Sequence, residues 1–533
     1  MMDSSTPAAA KSLVPVAIAF ALVASGSPAR AQQPADKSNP TAAGAAAPTA
    51  APAAAAPATA TPAPTTPAAA APAVSAEAPA PAVETPPTAP APVPAAAAAP
   101  VLAPAPPSEQ SEVWARSPLT LAVGQGSDQW SFTFYGIVEA NYIMDTTRSY
   151  DERIGSTLVA RSDTYDGNHG RTQFSIRNTR IGMKFGSPVV GGVKPSALIE
   201  ADFYGPHSES DTPERTYYDA ATFRIRHAYM LLENPYVDFL AGQTYDVFGW
   251  QNTRSAQVRL SHDFGDSAAP VTVGLAGAAV RPAQRDSQIP DVNASLRLDI
   301  NSWQGMITTT ANAGSAAEPM FIKVSGAARQ FKANAFAPPP TQTSNSASGW
   351  GVSVDVLVPV VPAHDDTHRG NCLTLTGSFV NGTGIADLIN STGGAAFPNL
   401  SNPAQASPPP EYDANVDEGL VTFDTQGVLH TIDWQAIKVG LQYYLPPSGR
   451  VFITANYTQA HSGNMAKLFP KGGAEIELLG RVANTTRHGE ATLFWDVTPA
   501  VRFGLSGAYT EVEYLDGNKP HNWRGMGVAQ YAF

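Results

Sequence analysis

Basic side chains recur at every second position in several short stretches of this chain. "TRIGMKF" sets Arg180 and Lys184 against Ile181, Met183 and Phe185. "ATFRIRHAYMLL" sets Arg224 and Arg226 against Phe223 and Ile225. Lys438 in "DWQAIKVGLQYYL" and Arg502 in "AVRFGLSGAY" follow the same rule, and Arg259, Arg297 and Arg524 take the same parity in their own segments. Glu139, Glu200 and Asp202 share that face. At strand spacing, alternate residues lie on one side. A file of cations along a water-filled, low-dielectric passage would focus the field and draw anions past a screened acidic wall. The alternative is that acids and bases pair with one another and stiffen the wall.

Bond-making chemistry finds little support. "HDDTH", from His364 to His368, has metal-ligand residue types at short spacing, but a metal needs three or four convergent ligands. A solvated polar cluster is the simpler reading. "GDS" at Gly265 to Ser267 matches part of a nucleophile motif, yet it falls in a predicted turn without a strand-to-helix elbow. No glycine-rich loop with a lysine is present to hold a phosphate. No catalytic residue, metal or cofactor is expected. A net charge of -12 argues against nucleic acid as a partner, since such proteins normally show a basic surface.

The elements that must hold these side chains are strands. "WSFTFYGIVEANYIM" places Phe132, Phe134, Gly136, Val138, Ala140 and Tyr142 on one face and Ser131, Thr133, Glu139 and Asn141 in the other set. Period-two alternation returns in segment after segment. Strands are predicted near 130–144, 173–186, 193–204, 222–233, 236–244, 255–264, 271–280, 292–301, 320–331, 348–358, 373–380, 433–445, 451–459, 485–497, 500–513 and 521–533, sixteen in all. Connections such as "SPVVGG", "ENPY", "PPSGR" and "VTP" are short; those near 145–172, 205–221, 332–347, 381–432 and 460–484 are long. Short turns at one end and long loops at the other mark a transmembrane β-barrel. The expected fold is therefore all-β: a sixteen-stranded antiparallel barrel over 129–533. Residues 302–319 are read as a long turn with some local structure. A soluble barrel or propeller is the rival, but it would point its apolar face inward.

The amino-terminal part differs. Lys11, the apolar run Leu13–Ser25 and "ARA" before Gln32 read as a signal peptide over 1–31. Residues 32–128 are dominated by Ala and Pro and cannot build a core. Extended, such a segment could reach on the order of 200 Å. It is read as a disordered periplasmic linker, either a tether that holds the cell wall or a bland tail. Cys372 is the single cysteine, which excludes an intramolecular disulfide. The chain ends "GMGVAQYAF", with Tyr531 and Phe533 on one strand face. A terminal aromatic would be wasted on a frayed, solvated end. In a bilayer, strands survive only in a closed barrel, and aromatics gather at its rims.

"GIVEANYIMD", "RIGMKFGSPV", "ALIEADFYG", "FRIRHAYMLLENPYVDFLAGQTYDVF" and the terminal "YAF" resemble the DcaP-like porins and, more distantly, phosphate-selective porins. The resemblance covers about 130–533 and is strongest from Arg180 to Phe248. It implies a trimeric outer-membrane diffusion channel of Gram-negative type, favouring small anionic solutes and involving no enzyme activity. Tyr531 and Phe533 resemble the signal read by the barrel assembly machinery. Such porins carry a coiled coil before the barrel, where this chain has Ala and Pro. The remaining functional alternatives are a pore for cations or uncharged solutes, and an anchor with a plugged lumen.

Three local expectations follow. Arg224 and Arg226 are the foremost selectivity residues, with Arg180, Lys184, Arg259, Arg297, Lys438, Arg502 and Arg524 behind them and Glu139, Glu200 and Asp202 facing them. His227 takes the outward parity. "YDVFGWQNTRS" sits where general porins fold a constriction loop inward, but its shortness leaves most narrowing to the wall, and 381–432 is read as a solvated loop.

Overall fold

The computed structural model describes residues 119–125, 128–150, 152, 158–205, 221–250, 253–265, 268–283, 287–308, 315–334, 344–363, 365, 368–389, 419–424, 428–468 and 482–533. The expected signal peptide and nearly all of the expected linker lie outside them.

The strands in chain order are β1 (Leu119–Val123), β2 (Trp130–Asp145), β3 (Arg171–Ser175), β4 (Arg180–Gly186), β5 (Lys194–Asp202), β6 (Arg224–Glu233), β7 (Asp238–Tyr245), β8 (Arg254–Phe264), β9 (Val271–Val280) and β10 (Asp291–Thr308). They continue as β11 (Ser315–Asn334), β12 (Ser344–Val361), β13 (Cys372–Thr383), β14 (Val421–Phe423), β15 (Leu429–Thr431), β16 (Asp433–Tyr444), β17 (Val451–Ser462), β18 (Ala483–Asp496), β19 (Val501–Tyr514) and β20 (His521–Ala532). Two one-turn helices, α1 (Tyr165–Asn168) and α2 (Met465–Leu468), sit in loops.

β3 and β4 both pair with β2 and together make one interrupted wall strand. Each later wall strand pairs antiparallel with its neighbour, and β20 returns to β2 from Ile137↔Ala532 to Asp145↔Arg524. The result is a closed sixteen-stranded antiparallel barrel, with β14 and β15 forming a separate hairpin inside a loop. Closure leaves no lipid-facing backbone edge along the wall, which is what a bilayer demands.

The alternation sorts the two faces. Val258 and Leu260 are 49% and 53% exposed while Gln257 between β7 and β9 is 5% exposed, so the apolar set faces outward. Phe379, Ile437, Val439, Leu493, Trp495, Phe503, Leu505 and Trp523 continue that exposed apolar band. A soluble barrel would invert it.

Four details depart from the sequence reading. Residues 119–123, assigned to the linker, form β1, which pairs with β2 from Leu119↔Phe134 to Val123↔Trp130. They occupy the foot of the β2 edge that β20 does not reach. Residues 302–319 are not a turn: β10 and β11 run on as a long hairpin, with a register shift between Ile300 and Gln304. The strand count therefore stays even. The described parts of 381–432 are not a wholly solvated loop: Ile385, Leu388, Val421, Phe423 and Leu429 are buried in an apolar cluster with Phe248, Phe331, Val380 and Trp434, while Val428 stays exposed. The acidic "ASPPPEYDANVDE" lies outside the described residues.

The fourth is a β-bulge in β6. Glu200 pairs with His227 and Ala201 with Ile225, so Arg226 is the extra residue. A bulge puts two residues opposite one and resets the alternation. His227 is thereby turned inward, buried, with Nδ1 3.0 Å from Thr244 Oγ1.

Candidate pore lining

The inward face of β4, β5 and β6 carries the sequence-predicted cluster. Arg224 makes a two-pronged contact with Asp202, Nε to Oδ1 at 2.9 Å and Nη2 to Oδ2 at 2.6 Å. Arg226 donates to Glu200 at 2.7 Å and to Asp202 at 2.9 Å. Tyr135 on β2 donates to the other Glu200 oxygen at 2.9 Å. Gly182 makes this reach possible: a Cβ there would sit 2.2 Å from the Tyr135 ring. Arg180 is buried beside them, with Nη2 3.4 Å from Asn178 Oδ1. The acids therefore do not face the arginines across the lumen. They lie on the strand between them and pair directly, because β5 separates β4 from β6.

The adjoining wall, reached through β2, gives a similar result. Arg502 is buried on β19 and grips Asp496 through Nε at 2.6 Å. Arg524 on β20 makes a two-pronged contact with Asp145 and donates to the Glu152 carbonyl, tying down the loop after β2. Glu139 accepts from Asn141 and Gln530 amides rather than from a cation. These are hydrogen-bonded wall fasteners.

A second group is different. Arg259, Arg297 and Lys323 line a cavity of about 540 Å³ on the inner face of β8 to β11, together with Asp246, Asp263 and Glu318. Arg297 is engaged by Asp299 at 2.8 Å and stacks 4.1 Å from the Phe321 ring centre. Among the described residues, Lys184, Arg259, Lys323 and Lys438 have no carboxylate at ion-pair distance. Lys184 lies 5.3 Å over the Tyr135 ring, and Lys438 is exposed on the inward face of β16.

The described part of the short connection after β7, residues 246–250, folds into this cavity. Gly249 donates its N–H to Ser325 Oγ at 2.9 Å, and Lys323 Nζ donates to the Gly249 carbonyl at 2.7 Å. The Trp250 and Phe321 rings meet edge-on at 4.8 Å. The loop leaves β7 and touches β11, so it spans the inner face of the intervening wall. Arg329, inward on β11, holds Asp291 at 2.8 Å and both oxygens of Asp387 in the loop after β13. Lys323 and Arg329 take inward parity beside exposed Ile322 and Val324, so the alternation that found Lys438 also contains them.

Of the signals set aside earlier, Asp365 accepts from exposed His368 at 2.7 Å, while His364, Asp266 and Ser267 lie outside the described residues. At the chain end, Phe533 exchanges two 3.0 Å backbone bonds with Gly136, and Tyr531 is exposed on the outer face. A Cβ on Gly136 would come within 2.5 Å of the Phe533 ring.

A closed, even-stranded barrel with an apolar exterior, a polar interior and an inward loop is the architecture of outer-membrane channels. The chain shares its fold with the outer membrane channel DcaP of Acinetobacter baumannii, at a TM-score of 0.51 and 16% identity over 76% of this chain and 97% of that one. Weaker likenesses, which carry no argument, include an anion-selective porin from Comamonas acidovorans (TM-score 0.41, 9% identity, 76% and 100% covered) and Salmonella typhi OmpF (TM-score 0.41, 9% identity, 78% and 100% covered). No family model and no curated protein sequence matches the chain.

Proposed function

We propose that the protein is an outer-membrane porin, a passive channel for small hydrophilic solutes that makes and breaks no bond. The observation that carries this reading is the closed sixteen-stranded barrel with charged and polar side chains on its inner face. A barrel of about eight strands is filled by its own side chains, whereas about sixteen leave room for an aqueous path.

The finer proposal is a lean toward anions. Its support has moved from Arg224 and Arg226 to Arg259 and Lys323, which border the inward loop without a carboxylate partner. Asp246, Asp263 and Glu318 share the same cavity, so the expected lean is small. A trimer, recognition of Tyr531 and Phe533 by assembly machinery, and a periplasmic amino-terminal segment also belong to the proposal, by resemblance.

The test is single-channel recording in a planar bilayer under a salt gradient. Stepwise conductance with a reversal potential of anionic sign is expected. A cationic sign would remove the anion lean and keep the pore. A folded barrel that passes no current would replace the channel with a plugged anchor.

A further inference from the structure

The hairpin of β10 and β11 extends past the wall at the turn end, and its extension reaches as far as β19. Thr308, near the end of β10, donates its N–H to Gln442 Oε1 on β16 at 2.8 Å. Its hydroxyl accepts from Arg502 Nη1 on β19 at 2.8 Å. Arg502 faces inward, since Phe503 and Leu505 beside it are exposed on the outer face. Going round the wall, β19 is seven strands from β10, close to diametrically opposite in a ring of sixteen. The arms therefore reach half-way round the mouth, lying against the inner side of β13 and β16 on the way.

The extension is packed as well as hydrogen-bonded. Met306 is fully buried among Ala363, Cys372, Tyr444 and Phe452. Thr374 Oγ1 donates to the Met306 carbonyl at 3.0 Å, and the Ala363 N–H donates to the Gln304 carbonyl at 2.8 Å. One carboxylate organises the far attachment. Asp496 binds Arg502 at 2.6 Å and Arg369 at 2.9 Å. Arg502 then holds Thr308 on the first arm, and Arg369 holds Ser315 on the second at 3.1 Å. Tyr444 adds a 2.9 Å bond to the same Ser315 hydroxyl.

We infer that residues 304–308 and 315–319 form a second narrowing at the turn end of the channel, latched in place through Asp496. The inference rests on the porin reading and adds to it an element that limits solute size from the end opposite the loops. Arg502, read from sequence as a selectivity cation, is then a latch residue.

The experiment compares the full chain with a variant in which Asn301–Pro319 is replaced by Asn-Gly, both checked for folding by heat-modifiable gel mobility. Higher single-channel conductance and passage of larger neutral polyethylene glycols are expected from the shortened hairpin. Equal conductance and equal polymer cut-off from a folded variant would overturn the inference. A second, milder variant guards against misfolding: Thr308→Cys in a Cys372→Ser background, treated with a charged methanethiosulfonate from each side. Faster block from the turn-end side is expected, and a thiol introduced at position 308 that reacts without changing the current would overturn the inference. Absence of current in the full chain and all variants would instead sink the porin reading.

Discussion

Two stretches of the inner wall carry arginine and lysine in the same alternating pattern and use them differently. On β4 to β6, Arg224 and Arg226 are bound to Glu200 and Asp202, with Asp202 fully buried between them. On β8 to β11, Arg259 and Lys323 face a cavity without an ion-pair partner. The first stretch holds three strands together, and its field is largely cancelled at short range. The second presents charge to whatever enters. Inward parity alone therefore identifies where a charge points, while the identity of its cross-strand neighbour decides whether a solute feels it.

The largest effect that could break this contrast is on stability. Asp202→Ala would leave Arg224 and Arg226 short of their shared partner in a buried position. Removing one member of such a pair typically costs about 3–5 kcal/mol. A lowered melting temperature in gel-mobility assays is expected, and an unchanged one would mean the cluster is not a structural fastener. Next comes a crossed pair of variants. Lys323→Ala should shift the reversal potential toward cations and leave the melting temperature near that of the parent. Arg226→Ala should do the opposite, lowering the melting temperature with little change in selectivity. Interchanged results would invert the contrast. The smallest effect is expected for Lys438→Ala. Its side chain is exposed on the inward face of β16, three strands round the wall from Lys323, and such a charge is screened beyond about 10 Å at 0.1 M salt. A selectivity change as large as that of Lys323→Ala would show that the narrow region lies elsewhere.

Most of the wall could be read from the chain because a barrel imposes one rule on every strand. Segments such as 271–280, 433–445 and 451–459 alternate without interruption, and the structure places strands there. The rule gives way where the backbone departs from period two. At Arg226 and His227 one added residue turns His227 inward, and nothing in "FRIRHAY" announces it. Met306 and Ile307 look like lipid-facing residues, but they are buried where the extended hairpin packs on Cys372, Tyr444 and Phe452 and on Phe321 and Leu357. Long-range partners were equally silent: Arg502 meets Thr308 only because the sheet curls into a barrel, and Lys323 meets Gly249 only because the loop after β7 folds inward. The inward arginines were legible as inward. Their pairing with Glu200 and Asp202 depended on the β5 register, which short apolar and polar alternation does not specify.

The bonds between Gly136 and Phe533 have a consequence for how the molecule comes to be. They join the first long wall strand to Phe533, across nearly the whole barrel sequence. Contacts of such separation form late, because the chain entropy between them must be surrendered first. Until Phe533 is in place, β2 and β20 each carry a bare edge able to pair with a stranger. The growing sheet therefore passes its most vulnerable stage as an open sheet, and Phe533 is the residue that ends that stage.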